Sequence, residues 1–252
     1  MSAERRRRLL GRLLGADGPL LGIERLCHVC VDTTGSDGAS IMLFHDGASR
    51  GSLCATDGLG ALLEEVQFTL GEGPGIDACR DDRPVAEPDL AAPAAPRWIA
   101  FTPSAVAAGA RAVFGFPIRV GGVVLGALQV SRDRRGPLTD DQHADALVLA
   151  DMAAEIMLLL QAGASPGELA VELEQGANLH AVVHQASGMA SVQMGVSVDH
   201  ALVRLRAHAF RTSIPLVDIA RRVVERTLRF SPDGEAAPDG EAAPDGGNGA
   251  DP

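Results

Sequence analysis

Two pairs of short apolar runs, each hinged on two turn residues, constrain this chain more than any other feature. GASIMLFH meets ASRGSLCA at Asp46-Gly47, and AVFGFPIRV meets VVLGALQVSR at Gly121-Gly122. Asp-Gly and Gly-Gly suit two-residue hairpins, because the turn that follows the strand twist needs positive φ. Hairpins make antiparallel neighbours, so the stretch from Gly38 to about Arg132 is expected to build one antiparallel sheet. Between them, LGALLEEVQFTL repeats at helical period, GEGPGIDACRDDRPVAEPDLAAPAAP reads as loop, and WIAFTPSAVAAGA reads as helix. Thr139 is a suitable N-cap for a final helix, DDQHADALVLADMAAEIMLLLQ. Hairpins alternating with helices give an α+β domain.

No apolar run reaches the roughly 18 residues of a membrane span. The N-terminus, MSAERRRRLLGRLLG, breaks its apolar part with Gly11 and Arg12. Residues 1–16 therefore read as an amphipathic arm, with Leu9, Leu10, Leu13 and Leu14 on one side, rather than a secretory leader. The cysteines show no framework spacing, which points to a reducing cytoplasm. Cys27 and Cys30 fall at i, i+3 in an apolar helix and are expected to be buried thiols. GEGPG has no following Lys-Ser/Thr and reads as a turn, not a phosphate loop.

Beyond a break at residues 163–168, helical patterns cover about 168–194, 199–212 and 216–230. In the first, Leu179, Val183, Ala186 and Ala190 form an apolar sector, and His180, His184, Ser187 and Ser191 a polar one. His180 and His184 make half a metal site with no third ligand, so no metal is expected. Gly188 lies beside the polar sector, where it costs a helix about 1 kcal/mol relative to alanine; a bound backbone is its expected neighbour. In the second, Ala201, Leu202, Leu205 and Ala209 face inward, with Arg204, His208 and Arg211 on the flank. In the third, Leu216, Ile219, Ala220, Val223 and Phe230 share a face, flanked by Arg222, Arg226 and Arg229. Ion pairs Asp218–Arg222 and Glu225–Arg229 are available at i, i+4.

The whole chain carries a net charge of −11, which disfavours a polyanion partner for most of it. Residues 177–230 differ: arginines 204, 206, 211, 221, 222, 226 and 229 face only Asp199, Asp218 and Glu225, a balance of +4. A basic module rides on an acidic protein. The tail from Ser231 to Pro252, a Pro/Asp/Gly/Glu/Ala repeat, is expected to be disordered.

GEGPGIDACRDDRPVAEPDL followed by FPIRVGGVVLGALQVSR resembles a GAF domain, placed over residues 17–162. The resemblance implies a central antiparallel sheet with helices on one face and a small-molecule pocket on the other. QASGMASVQMGVSVDHAL, Leu205-Arg206 and LVDIARRVV resemble an ANTAR domain, an all-α three-helix RNA-binding antitermination module, placed over 168–230. Where that family often has lysine before the first-helix glycine, this chain has Ser187, leaving Arg204 or His184 to meet phosphate. The resemblance implies a cytoplasmic homodimer whose GAF domain senses a small molecule and gates binding to hairpins of a nascent transcript. The expected RNA-binding set is His184, Ser187, Gly188, Arg204, Arg206, His208, Arg211, Arg222 and Arg226, with no catalytic residue and no cofactor. The run MAAEIMLLL offers a dimer seam or core packing. The alternatives are a protein-interaction regulator without RNA binding and a methionine sulfoxide reductase using Cys54 and Cys79.

Overall fold

The second hairpin forms as the glycine pair dictates. Strands β4 (Ala112–Val120) and β5 (Val123–Arg132) pair antiparallel, Val120 opposite Val123, with Gly121 at φ 60° in the turn. The structure is a computed structural model that describes residues 3–15, 22–45, 48–93, 97–163, 178–231 and 236–238. Strands β1 (Gly38–His45) and β2 (Ala48–Ala55) also pair antiparallel, His45 opposite Ala48; Asp46 and Gly47 lie outside the described residues. The chain divides into two units, Met1–Ala181 and Val182–Pro252.

In the first unit, with β3 at Val85–Glu87, the sheet order is β2-β1-β5-β4-β3, antiparallel throughout. β3 and helix α4 (Pro74–Asp81) both arise in the stretch read as loop. Pro74 opens α4 in its first turn, where a missing N–H is harmless. Helices α1 (Ala3–Leu14), α2 (Ile23–Thr34), α3 (Leu59–Leu70), α5 (Phe101–Ala107) and α6 (Asp140–Gly163) complete the unit.

Alternation along the strands sorts the two faces. Ala39, Ile41, Phe114, Phe116, Ile118, Leu128 and Val130 pack with α1, α2 and α6. Met42, Val113 and Ala127 point the other way and pack with α3, α4 and α5. Helices cover both faces, where the resemblance implied one. Gly115 shows how tightly α4 seats: a Cβ there would come within 2.3 Å of Pro74 O. On α1, Leu9 and Leu13 are buried while Leu10 and Leu14 stay exposed, so the inward stripe is narrower than the leucine pattern. In the MAAEIMLLL run, Met152, Ala153, Ala154 and Ile156 enter the core, and Leu158 and Leu159 are exposed.

Thr139 caps α6 as expected, and Gln142 completes a reciprocal box. Gln142 N donates to Thr139 Oγ1 at 3.3 Å, and Thr139 N donates to Gln142 Oε1 at 3.0 Å. Arg132, at the end of β5, donates to Thr34 O at the end of α2 and, over 2.9 Å, to the same Gln142 Oε1. One guanidinium thus joins a strand end, a helix end and a helix start.

Helix α7 (Asn178–Met194) begins in the first unit and continues into the second; α8 (Val198–Thr212) and α9 (Leu216–Val224) follow. Residues 164–177, where the first of these helices was expected to start, lie outside the described residues, as does the Leu179 side chain. The Ser197 side chain caps α8 by accepting from His200 N. The third helix stops at Val224, not at 230. Arg226 turns left-handed at φ 60°, and strand β6 (Leu228–Phe230) pairs with β7 (Ala236–Pro238), inside the tail expected to lack structure. The remaining tail residues, 232–235 and 239–252, lie outside the described residues. Phe230 N donates to Gln193 Oε1 at 3.0 Å, fastening β6 to α7.

The cysteines depart from expectation. Cys27 of α2 is bonded to Cys54 of β2, while Cys30 and Cys79 are buried free thiols. Cys79 belongs to the core on the opposite face of the sheet from Cys54, so the pair proposed for sulfoxide reduction does not share a site. Burial, with Glu64 and Asp82 nearby, raises the Cys79 thiol far above its ordinary range. A neutral thiol there is a poor nucleophile.

Candidate functional site

Two groups of polar side chains stand apart from ordinary packing, one in each unit. In the second unit, the apolar faces of α8 and α9 bury Ala201, Leu202, Leu205, Ala209, Leu216, Ile219, Ala220 and Val223. Arg204, His208 and Arg211 recur at i, i+4, i+7 along one flank of α8, so the helical repeat stacks them in a row. Arg204 and Arg211 are exposed and His208 is half-buried. Arg211 Nη2 lies 3.1 Å from His208 Nδ1, and the His208 ring meets Phe230 of β6 edge-on, centroids 5.5 Å apart. Burial, then Arg211 and Arg222, lowers the His208 pKa, so the imidazole is neutral near pH 7. Arg222 of α9 thus lies within electrostatic reach of His208 and adds a third arginine to Arg204 and Arg211 of α8, with Phe230 of β6 against the imidazole.

Other expected contacts fall elsewhere. Arg206 lies across the helix core from Arg204, His208 and Arg211, is half-buried, and is lowered by burial to about 10. It stays charged near pH 7 but stands outside the row. Arg226 and Arg229 follow the end of α9, so the Arg222/Arg226/Arg229 stripe does not form on one helix. Asp218 pairs with Arg221 at 2.9 Å rather than with Arg222. Ser187 is fully buried and donates to His184 O at 2.8 Å, so it offers nothing to a phosphate. Its place at the edge of the apolar sector, between Val183 and Ala190, explains this. His184 is half-buried. Gly188 sits on the far side of α7 from Val183, Ala186 and Ala190, and a Cβ built there meets nothing within 4 Å. Packing within the chain does not require this glycine.

In the first unit, polar groups line the interior between the sheet and α3. Ser40 Oγ donates to Glu64 Oε2 at 2.9 Å, and Gln129 lies directly across from Ser40 in the β1–β5 register. Glu64 Oε1 and Gln129 Oε1 are buried acceptors without a donor among the described residues. Burial raises Glu64 to about 7, against the lowering effect of Ser40 and His180. Gln67 is fully buried; its Oε1 accepts from Gly75 N at 2.8 Å, which holds the start of α4. These residues were missed at the sequence level. The signal was present, since Gly60, Leu63, Glu64 and Gln67 recur at helical period on one face of α3.

His180, the last histidine of the first unit, is buried against Phe68 with ring centroids 3.5 Å apart, and its Nε2 lies 3.0 Å from Glu65 Oε2. That contact holds Glu65 below the usual carboxylate range. No cluster of three or more metal-binding side chains occurs among the described residues.

Compared with known families, the chain matches the GAF domain over residues 7–157 and the ANTAR domain over residues 172–224. It is a GAF-family protein with an ANTAR domain. The ANTAR domain is the RNA-binding antitermination module, and the cationic group of α8 and α9 lies inside its matched span. GAF and ANTAR domains are typically regulatory rather than enzymatic. Among solved structures, this GAF–ANTAR chain is similar to a GAF domain of a phosphoenolpyruvate-protein phosphotransferase from Coxiella burnetii, at 17% identity and TM-score 0.48, covering 63% of this chain and 94% of that one. It is also similar to a domain of a two-component sensor histidine kinase protein from Sinorhizobium meliloti 1021, at 22% identity and TM-score 0.46, covering 55% and 90%. A type II free methionine-R-sulfoxide reductase from Thermoplasma acidophilum matches at 16% identity and TM-score 0.41, covering 53% and 88%. Likeness at this level carries no argument about activity. No curated protein matches the chain. No described helix is long and apolar enough to cross a membrane.

Proposed function

We propose that this protein is a signal-responsive antitermination regulator. Its ANTAR domain binds hairpins in a nascent transcript, and its GAF domain senses a small molecule that gates the binding. The observation that carries the reading is the cationic group Arg204, Arg211 and Arg222 around His208, placed within the matched ANTAR span of an otherwise acidic chain. With His208 neutral, the arginines supply the charge that attracts phosphate. The small molecule would bind beside Ser40, Glu64 and Gln129, where Glu64 Oε1 and Gln129 Oε1 are buried without a partner among the described residues. Two buried acceptors there call for a ligand that donates hydrogen bonds. RNA, this ligand and a second copy of the chain are the partners, and the protein works in the cytoplasm.

The test is a filter-retention assay with a two-hairpin RNA at low ionic strength. Wild type retains the RNA, and the double reversal Arg211→Glu with Arg222→Glu loses it while keeping its thermal midpoint. A wild type that ignores tandem hairpins, with or without candidate effectors, ends the reading and favours the protein-interaction alternative.

A further inference from the structure

The bonded cysteines sit at a seam that the rest of the fold already secures. α2 is held to the sheet and to α6 through Ile23, Leu26, Val29 and Cys30 in the same core as Leu149, Ala150 and Ala153. A chain with a core of this size has no need of a covalent staple, unlike a small secreted domain. The reduced state is also provided for: Cys54 Sγ lies 3.3 Å from Ile23 O, so an S–H at Cys54 has an acceptor waiting. Two arrangements of the same sulfur, bonded to Cys27 or donating to Ile23, are therefore built into one site. Cys30, one turn further along α2, is a buried free thiol outside the bonded pair.

We propose that Cys27 and Cys54 form a redox modification site: a reversible disulfide between α2 and β2, closed by a small neutral hydroperoxide, opened by a small neutral dithiol, whose state sets the protein's affinity for RNA. Access decides the reagents. The two residues are 1% and 8% exposed, which bars bulky or charged thiols. Cys54, the more open, reacts first. Its sulfur attacks the hydroperoxide, the O–O bond breaks, and a sulfenic acid and an alcohol (water from hydrogen peroxide) result. The Cys27 sulfur then displaces the hydroxyl, an S–S bond forms, and water leaves with the second proton. Two thiols lose two electrons and the peroxide gains them. A dithiol reverses the step by two exchanges, becoming a disulfide itself.

Opening the bond puts two thiols where one covalent link stood, and they need non-bonded separation in a filled core. α2 must ease away from β2, and α6, packed on α2, answers. That last step rests on the proposed RNA-binding function; the redox site does not.

The experiment alkylates purified full-length protein under denaturing conditions after dithiothreitol, after hydrogen peroxide, and after peroxide followed by dithiothreitol, reading intact mass and peptide maps. Of the four cysteines, all take label in the first and third states. In the second, only Cys30 and Cys79 do, and a Cys27–Cys54 linked peptide appears. Retention of the two-hairpin RNA differs by about fivefold or more between the states, within the usual range of allosteric coupling. Cys27→Ala and Cys54→Ala abolish the difference, and Cys30→Ala keeps it. Full labelling after peroxide, or a bond that dithiothreitol fails to open in native protein, overturns the redox site. A bond that cycles with unchanged RNA affinity overturns the coupling. If neither state binds RNA, the RNA reading fails, and labelling alone decides the redox site.

Discussion

Ser40 Oγ hydrogen-bonds Glu64 Oε2 over 2.9 Å in the interior between β1 and α3, and Glu64 is 3% exposed there. Burial lifts this carboxyl from 4.5 to about 7. An acid with a raised folded pKa keeps its proton while the unfolded chain loses it. Its contribution to stability is therefore whole below about pH 4.5 and falls away as pH rises to about 7, by about 3 kcal/mol in all. Urea midpoints of Glu64→Gln should change less than wild type between pH 5 and 8. Parallel curves for the two proteins would assign the titration to another group.

Gly188→Ala is expected to raise the thermal midpoint, since alanine is favoured in a helix by about 1 kcal/mol and its Cβ meets nothing within 4 Å. The same variant should bind the two-hairpin RNA less well if a phosphate backbone approaches that side of α7. Calorimetry and filter retention on one preparation read both effects. A destabilised variant would mean that the glycine serves the fold.

Arg211→Ala and Arg222→Ala should each weaken RNA binding and reduce the salt slope by about 1. Arg206→Ala should leave the slope nearly unchanged and lower stability instead, because the Arg206 stem lies half-buried across the helix core from the row. Equal slope losses at all three positions would put Arg206 in the interface.

Gly115→Ala should cost about 1–3 kcal/mol, since the new Cβ would stand 2.3 Å from Pro74 O and the backbone at the start of α4 must retreat. Urea denaturation measures the loss. Gly122→Ala, with open space around it, serves as the control.

How much the sequence reveals depends on how local the signal is. The Gly121-Gly122 hairpin was legible because its turn chemistry lies in two adjacent residues, and α6 because Thr139 and Gln142 cap it within one turn. α4 and β3 are too short for any period to emerge from a Gly- and Pro-rich stretch. The end of α9 was misread because Phe230 falls by coincidence on the same helical face as Leu216; the alternation Leu228, Arg229, Phe230 was the better signal for a strand. Ser187 sits at the rim of a helical sector, where a small angular error exchanges water for core. The Cys27–Cys54 bond has no local signal at all, because it depends on which side of the sheet β2 presents to α2. In the ANTAR span the arginine row on α8 was readable from spacing, whereas its joining to Arg222 and Phe230 required the chain's return through β6.

The guanidinium of Arg132 fixes the start of α6. That helix has 24 residues, so it reaches about 36 Å from there to its far end. Core packing holds the helix from Ala146 to Ile156, and Leu158 and Leu159 emerge from it. The contact that fixes its first turn at Gln142 and the point where it leaves the core at Leu158 thus stand about 24 Å apart, so any shift at the end of β5 or of α2 is handed along one rigid, buried rod.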